Sequence, residues 1–540
     1  MIINNTPVLI KKYMKSFKFT FISFIYFFIL TYFQTSSFKI PFVIAISLMA
    51  IMHFISKSRK FAVVSVILFS LLITFEAFFA FFYHSRIPDG IFFSIMETNP
   101  TEAKSVMIDI WIKGVILFSF TFFLILFSVQ ELKKNCNFSI KWSGLFLFVL
   151  LFIAYPCYIF FKKDLRTGFF NKYEISPSWA CHSEIKERLP VIWGTISSYI
   201  MYLKESNELK KYLDNDRILP VGISLNDTVV SPQKIFFIIG ESACRRNMSI
   251  YGYHVKTTPF LDSLHNVSPN LIIYNDAISP GCLTRHVIGF LTTFASPANM
   301  NPLHEQKNII ELANVAGYQS LWISAQDARG IYESFTSIIS SFSQYLHYPD
   351  PTKRSDDLDL IPVIQEQYNK KVKQFFVINL FGSHIKYSDR YDNFDKIQIE
   401  DFYENVDYDR TIHHTDRVLR EIYKIIEKDT SSIIYYISDH GECLKLKGHG
   451  FINGSISQFE VPMLFINQTG VDIHQIADKY YMVGNERINT LSSIYILAEL
   501  MGYSVMDETV QNVREHSEFI YHADGRSYSF SKLVESESVK

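Results

Sequence analysis

Hydrophobic positions are spread unevenly along the chain, and the unevenness divides it. Long apolar runs all lie before residue 165, at about 17–34, 39–56, 61–83, 112–129 and 143–161. Each approaches the roughly 20 residues an α-helix needs to cross a ~30 Å hydrocarbon layer, so the pattern predicts five transmembrane helices. The charged turns between them are foreign to an ordinary soluble core. The first run lacks the small-residue cleavage site of a signal peptide, and four more runs follow it. From residue 231 the period changes. Apolar runs of four to six residues, IFFII (235–239), LIIY (271–274), SLWIS (320–324), FFVINL (375–380), IIYYIS (433–438) and MLFI (463–466), alternate with helix-like stretches, of which 403–428 is the clearest. That alternation predicts an α/β domain with a largely parallel sheet. The stretch 166–230 carries amphipathic, Tyr-rich pieces that suit either helices lying on a bilayer surface or a packed linker pair. The expected domains are therefore 1–165, 166–230 and 231–540.

Charge gives the membrane segments a direction. Lys11, Lys12, Lys15 and Lys18 precede the first run, Lys57, Arg59 and Lys60 follow the second, and Lys133, Lys134 and Lys141 follow the fourth. The alternate loops hold only Lys39, Arg86, Lys104 and Lys113. Basic loops stay in the cytoplasm, so the N-terminus is expected inside and everything after residue 165 outside. Composition adds two exclusions. With 49 Phe and 31 Tyr in 540 residues the chain is not a solvated, disordered one. Its 52 Lys+Arg against 53 Asp+Glu leave no polybasic character to draw a nucleic acid.

Chemistry-bearing residues follow the ends of the short runs. IFFIIG leads into Glu241, FFVINLFGS into His384, IIYYIS into Asp439-His440-Gly441-Glu442, and SLWIS towards Gln326, Asp327 and Arg329. In open α/β sheets ligands gather at the carboxyl ends of strands. Glu241, Asp439 and His440 can supply three ligands to a tetrahedral zinc ion and leave one position open. The segment SPGCLTRHVIGFLTTFA (279–295) resembles a glycine turn entering a helix, with Thr284 near its start. Unpaired N–H groups there favour an anion such as a phosphate, and a metal would activate the hydroxyl. The same position equally suits a threonine that only caps the helix.

Taken together, GESACRRNMSIYGYHVKTTPFLDSL (240–264), GCLTRHVIGFLT, WISAQ, FGSH, YISDHGE, GHG and FEVPMLF resemble the membrane-bound phosphoethanolamine transferases, in their order and over essentially the full length. The resemblance implies five N-terminal spans in a bacterial inner membrane and a periplasmic domain of the alkaline-phosphatase/sulfatase type with a mainly parallel central sheet. It implies zinc, one ion with room for a second, held by Glu241, Thr284, Asp439 and His440, with Thr284 as nucleophile. It places substrate-phosphate contacts on His384 and His449, and ethanolamine contacts on Thr98 and Glu102. Phosphatidylethanolamine is the implied donor, and lipopolysaccharide, on its core sugars or lipid A, the implied acceptor. The chain departs from the family at Ser94, Ala325 and Arg410, where relatives often carry asparagine, and it lacks the cysteine pairs of the polymyxin-resistance enzymes. These departures tilt the reading towards core modification. The C-x-P-S-R cysteine pattern of sulfatases is absent from CLTRH (282–286). Cys181, Cys244, Cys282 and Cys443 would face an oxidising compartment, where any two could pair. Competing readings are a phosphoglycerol transferase or phosphodiesterase on the same fold, and a catalytically inactive lipopolysaccharide-binding membrane protein.

Overall fold

A computed structural model of the chain describes residues 16–32, 39–57, 62–83, 86–97, 100–136, 182, 185, 186, 191–212, 216–226, 228–327, 335–350, 355–401, 403–484 and 487–538. The fifth predicted span, 143–161, lies outside the described residues, as do Thr98, Arg329 and Cys181. The chain divides into two compact units, Met1–Phe93 with Pro100–Glu205, and Ser94–Asn99 with Ser206–Lys540.

The first unit is helical. Its elements are α1 (Lys18–Tyr32), α2 (Lys39–Lys57), α3 (Ala62–Tyr83), the first part of α4 (Asp89–Glu97), α5 (Pro100–Asn135) and most of α6 (Val191–Tyr212). Two stretches, Val63–Tyr83 and Trp111–Asn135, are long and apolar enough to cross a membrane, whereas α1 and the Pro41–Lys57 part of α2 are shorter apolar helices. Side chains such as Val63, Leu68, Ile116 and Phe123 are exposed, as a lipid solvent requires. Polar groups turn inward instead. Ser23 meets Ser128 at 2.8 Å and Tyr26 meets Thr121 at 2.9 Å, while Glu131 accepts from Phe19 N at 3.1 Å and Thr20 N at 2.9 Å. The last pair sets a carboxylate against the positive N-terminal end of α1. Further along, buried Asp89 is bound by Lys186 (2.7 Å), Ser198 (2.8 Å) and His182 (3.0 Å), which ties the start of α6 and the residues before it to α4. Burial opposes the Asp89 charge, but Lys186 and His182 outweigh it and hold the carboxyl well below its usual range.

The second unit is built on a seven-stranded sheet. Its strands are β1 (Lys234–Gly240), β2 (Leu271–Ile273), β3 (Gln319–Ser324), β4 (Tyr345–His347), β5 (Gln374–Asn379), β6 (Ser432–Ser438) and β7 (Met463–Asn467), in the order β2-β7-β6-β1-β5-β3-β4. All pairs are parallel except β6–β7 and β2–β7, so the sheet is mixed and mostly parallel. The apolar runs are continuous because both faces are covered. On β1, Ile235, Phe237 and Ile239 enter one core and Phe236 and Ile238 the other. MLFI (463–466) forms an antiparallel strand, and β4, whose YLH carries little apolar signal, was not expected. Register then fixes the functional end. Ile239 lies opposite both Asn379 and Ile437, and Gly240 opposite Ser438. The next residues of the two neighbouring strands are Glu241 and Asp439. The same unit holds two helices rich in polar side chains, α7 (Thr284–Thr292) and α8 (Val406–Ile426).

Candidate active site

Strand register and a helix start converge on one point. Glu241 and Asp439 leave adjacent parallel strands side by side, with Asp439 N donating to Gly240 O at 3.0 Å. Thr284 begins α7. Its Oγ1 is 3.3 and 3.2 Å from the two Glu241 carboxylate oxygens and 3.1 Å from His440 Nε2. His440 Nε2 is in turn 3.2 Å from Asp439 Oδ2 and 3.4 Å from Glu241 Oε1. Glu241, Asp439 and His440 are fully or almost fully buried, and Thr284 is half-buried.

Each group is held by contacts that leave its inner face unused. Ser242 donates to Glu241 Oε1 at 2.8 Å, and Gln326 Nε2 donates to Glu241 Oε2 at 3.2 Å. Asp439 Oδ1 accepts from Ser242 N (3.0 Å) and His440 N (2.7 Å), whereas its buried Oδ2 has no hydrogen bond. His440 Nδ1 lies 2.9 Å from Gly441 O, which fixes the proton there and turns Nε2, with its lone pair, towards Thr284. The approach of the F-G-S-H loop depends on Gly382, at φ 49°. A Cβ there would lie 2.8 Å from Glu241 O and 2.9 Å from Glu241 N.

The electrostatics show what the cluster needs. Burial and the neighbouring Glu241 push Asp439 up to about 6. Burial works against a charged His440, but Asp439 and Glu241 together keep its pKa above the ordinary value. A carboxylate crowded by a second one, without a cation between them, is held in its neutral form. The orphaned Asp439 Oδ2, the inward His440 Nε2 and the Glu241 carboxylate form a donor set that fits a divalent ion of the zinc type.

The predicted substrate histidines reach the same neighbourhood by different routes. His449 packs its ring 3.9 Å from that of His440 and has Nδ1 3.2 Å from Glu442 Oε2. Glu442 is buried, which pushes its carboxyl up to about 8. His384 follows β5 and has Nδ1 2.6 Å from Ile385 O. Glu102 lies in α5, where only its backbone is described. Arg285, next to Thr284, pairs with Glu97 of the Ser94–Asn99 segment through contacts of 2.8 and 3.3 Å. Sequence reasoning did not single out Ser242, Arg285 or Glu97; Ser242 and Arg285 were visible only as neighbours of stronger motifs. Cys244, Cys282 and Cys443 are buried free thiols, and no disulfide joins described residues. Burial pushes the Cys244 and Cys282 thiols up to about 12, away from the thiolate form.

The sulfatase family model matches residues 233–502. The chain belongs to the sulfatase family. Within it, the chain is a member of the phosphoethanolamine transferase group. Phosphoethanolamine transferase EptC of Escherichia coli K12 is 24% identical over 430 residues, covering 75% of this chain and 73% of that protein. The integral membrane phosphoethanolamine transferase EptA of Neisseria meningitidis superposes with a TM-score of 0.60 at 16% identity, over 86% of this chain and 88% of its own. The periplasmic domain of E. coli EptC, solved in complex with zinc, superposes with a TM-score of 0.51 at 22% identity, over 59% of this chain and 98% of its own. The sulfatase-type fold is therefore shared.

Proposed function

We propose that this chain transfers phosphoethanolamine from phosphatidylethanolamine to lipopolysaccharide, on a core sugar or lipid A, through Thr284. In this reading five helices, including 143–161, anchor the chain in an inner membrane, with the N-terminus cytoplasmic and the domain from about residue 231 periplasmic. The observation that carries it is the placement of one helix-leading hydroxyl, Thr284 Oγ1, within 3.3 Å of Glu241 and His440 at the carboxyl ends of parallel strands.

Glu241, Asp439 and His440, with Thr284, would hold a zinc ion. Zinc bound there supplies a Lewis acid that lowers the pKa of the Thr284 hydroxyl and offsets phosphate charge. The residues do the rest. Thr284 Oγ forms a bond to the donor phosphorus, the bond from phosphorus to the glycerol oxygen breaks, and diacylglycerol leaves with a proton. The phosphoryl group lies at the start of α7, where the positive end of the helix dipole favours its oxygens. His384 and His449 are placed to contact those oxygens or to pass the proton. An acceptor hydroxyl or phosphate oxygen of the glycolipid then bonds to phosphorus, and Thr284 regains its proton. Thr98 and Glu102 are assigned to the ethanolamine end of the donor.

The test uses the full chain in detergent with phosphatidylethanolamine labelled in its headgroup. Label on the Thr284 peptide and release of diacylglycerol are expected, and Thr284→Ala should lose both by about a thousandfold or more. Release of label as free phosphoethanolamine alone would indicate a phosphodiesterase. Preferential use of phosphatidylglycerol would indicate a phosphoglycerol transferase. Full function of Thr284→Ala in cells would indicate a non-catalytic binding protein.

A further inference from the structure

A cavity opens beyond the far end of the helix that Thr284 begins. α7 runs from Thr284 to Thr292, about 12 Å at helical rise, and beyond it Phe294 and Ser296 line a half-open cavity of about 360 Å³. That volume lies at the small end of ligand pockets, which run roughly 300–1,000 Å³. Phe294 and Tyr495 form an edge-to-face aromatic pair at 5.1 Å in its wall. The wall is closed by Gly222, at φ 85°, where a Cβ would lie within van der Waals radii of Thr509 Oγ1.

Of the polar groups around this cavity, Ser296, Asn299 and His516 are already hydrogen-bonded. Gln306, Tyr495, Glu508, Thr509 and Asn512 line it, and their side chains make no hydrogen bond or ion pair with the described residues. The Gln306 Oε1 is shielded from solvent and accepts nothing, so that amide can turn to meet a ligand. Together these five side chains offer two amides, two hydroxyls and a carboxylate, both donors and acceptors. No lysine or arginine lines the cavity. A phosphate, a nucleotide or an anionic lipid headgroup would meet the Glu508 carboxylate, and the one imidazole in the lining, His516, already meets Ser296 at 3.3 Å. An uncharged polyol has what fits: hydroxyls for the amides and the carboxylate, and an apolar C–H face for an aromatic ring.

We propose that this cavity is a saccharide subsite for a mono- or disaccharide unit of the acceptor glycan, remote from the sugar or phosphate that is modified. The inference rests on the proposed acceptor class. Holding a distal sugar raises the local concentration of the acceptor at Thr284 without adding a contact at the reacting atoms.

The experiment is titration of the full chain in detergent with deacylated, dephosphorylated lipopolysaccharide core oligosaccharide, followed by saturation-transfer NMR and calorimetry. Saturation is expected to pass from aromatic protons to the sugar. The double variant Gln306→Ala/Asn512→Ala should bind about tenfold more weakly, the equivalent of about 1.4 kcal/mol, and Tyr495→Phe should bind more weakly by a smaller factor. Thr284→Ala should bind like the unaltered chain. Thermal melts show that each variant is folded. Absence of saturation transfer, or equal binding by the double variant, overturns the subsite. Labelling of Thr284 by phosphatidylethanolamine in the same preparation reads the function separately: label without sugar binding removes only the subsite, and sugar binding without label removes only the transfer reading.

Discussion

The Glu241–Asp439–His440 cluster and the Asp392–Asp395–His414 cluster are made of the same kinds of side chain, and in each the ligand atoms are close enough to share an ion. Their surroundings differ. In the second, Arg417 Nη1 is 2.8 Å from both Asp392 and Asp395, and Asp395 also receives His413 at 2.6 Å and His414 at 2.8 Å. The same two aspartates cap a short helix at Asn393–Gln398. A guanidinium and two imidazoles already bind these acids. In the first cluster no arginine or lysine approaches among the described contacts, Asp439 Oδ2 has no hydrogen bond, and burial and Glu241 raise the Asp439 carboxyl. Ligand geometry alone does not make a metal centre; an unbalanced charge does.

This contrast can be broken in order of effect. Asp439→Asn should reduce transfer by about a thousandfold or more, about 4 kcal/mol of barrier, and lower bound zinc from near one per chain to near none by atomic absorption. If zinc stayed, the two clusters would have been assigned the wrong way round. Asp395→Ala should leave zinc content unchanged but cost about 3–5 kcal/mol of stability in urea unfolding, because Arg417, His413 and His414 lose their buried acid. A drop in zinc here would instead mark this cluster as a metal site.

The pH dependence separates the clusters further. Burial works against a charged His414, yet hydrogen bonds with Asp356 and Asp395 push its pKa up to about 10 from an ordinary 6.5. A folded pKa above the unfolded one stabilises fully below about 6.5 and loses that contribution as pH rises through about 10. Asp395, held well below the usual carboxylate range despite its burial by His413 and His414, contributes above about 3.8 and loses its contribution as pH falls through its folded value. The urea midpoint should therefore decline towards pH 10 in the unaltered chain and decline less in His414→Gln. The smallest expected effect is Gln326→Ala, which removes one hydrogen bond to Glu241 and should weaken zinc affinity about 10- to 100-fold in a chelator competition while leaving the urea midpoint nearly unchanged.

Much of the first cluster was legible because it follows strand ends. Six apolar runs announce the sheet, and the residue after a run is the one placed at its edge, so Glu241 and Asp439 could be paired from the sequence alone. The second cluster was not legible. His413 and His414 sit within α8, the helix expected at 403–428 and found at Val406–Ile426, with no apolar run to mark them. Their partners Asp356, Asp392 and Asp395 come from loops and short helices whose path is set by tertiary packing. β4 escaped notice for a related reason, since three edge residues carry no period. The antiparallel β7 shows the other limit: a buried run states that a strand exists and is silent on its direction. In the first unit four of the expected apolar runs form helices, yet only two are long and apolar enough to cross a membrane by length and composition.

The unbonded Asp439 Oδ2 has a consequence for the life of the protein as well as its chemistry. A domain that folds around mutually repelling acids is more stable with a divalent ion than without one, by an amount that grows with the logarithm of ion supply. Where the catalytic domain is exported, scarcity of zinc should thus act twice, silencing the molecules that fold and shortening the survival of those that cannot complete the site. If the proposed zinc site holds, supply of the ion would then set how much of this enzyme persists.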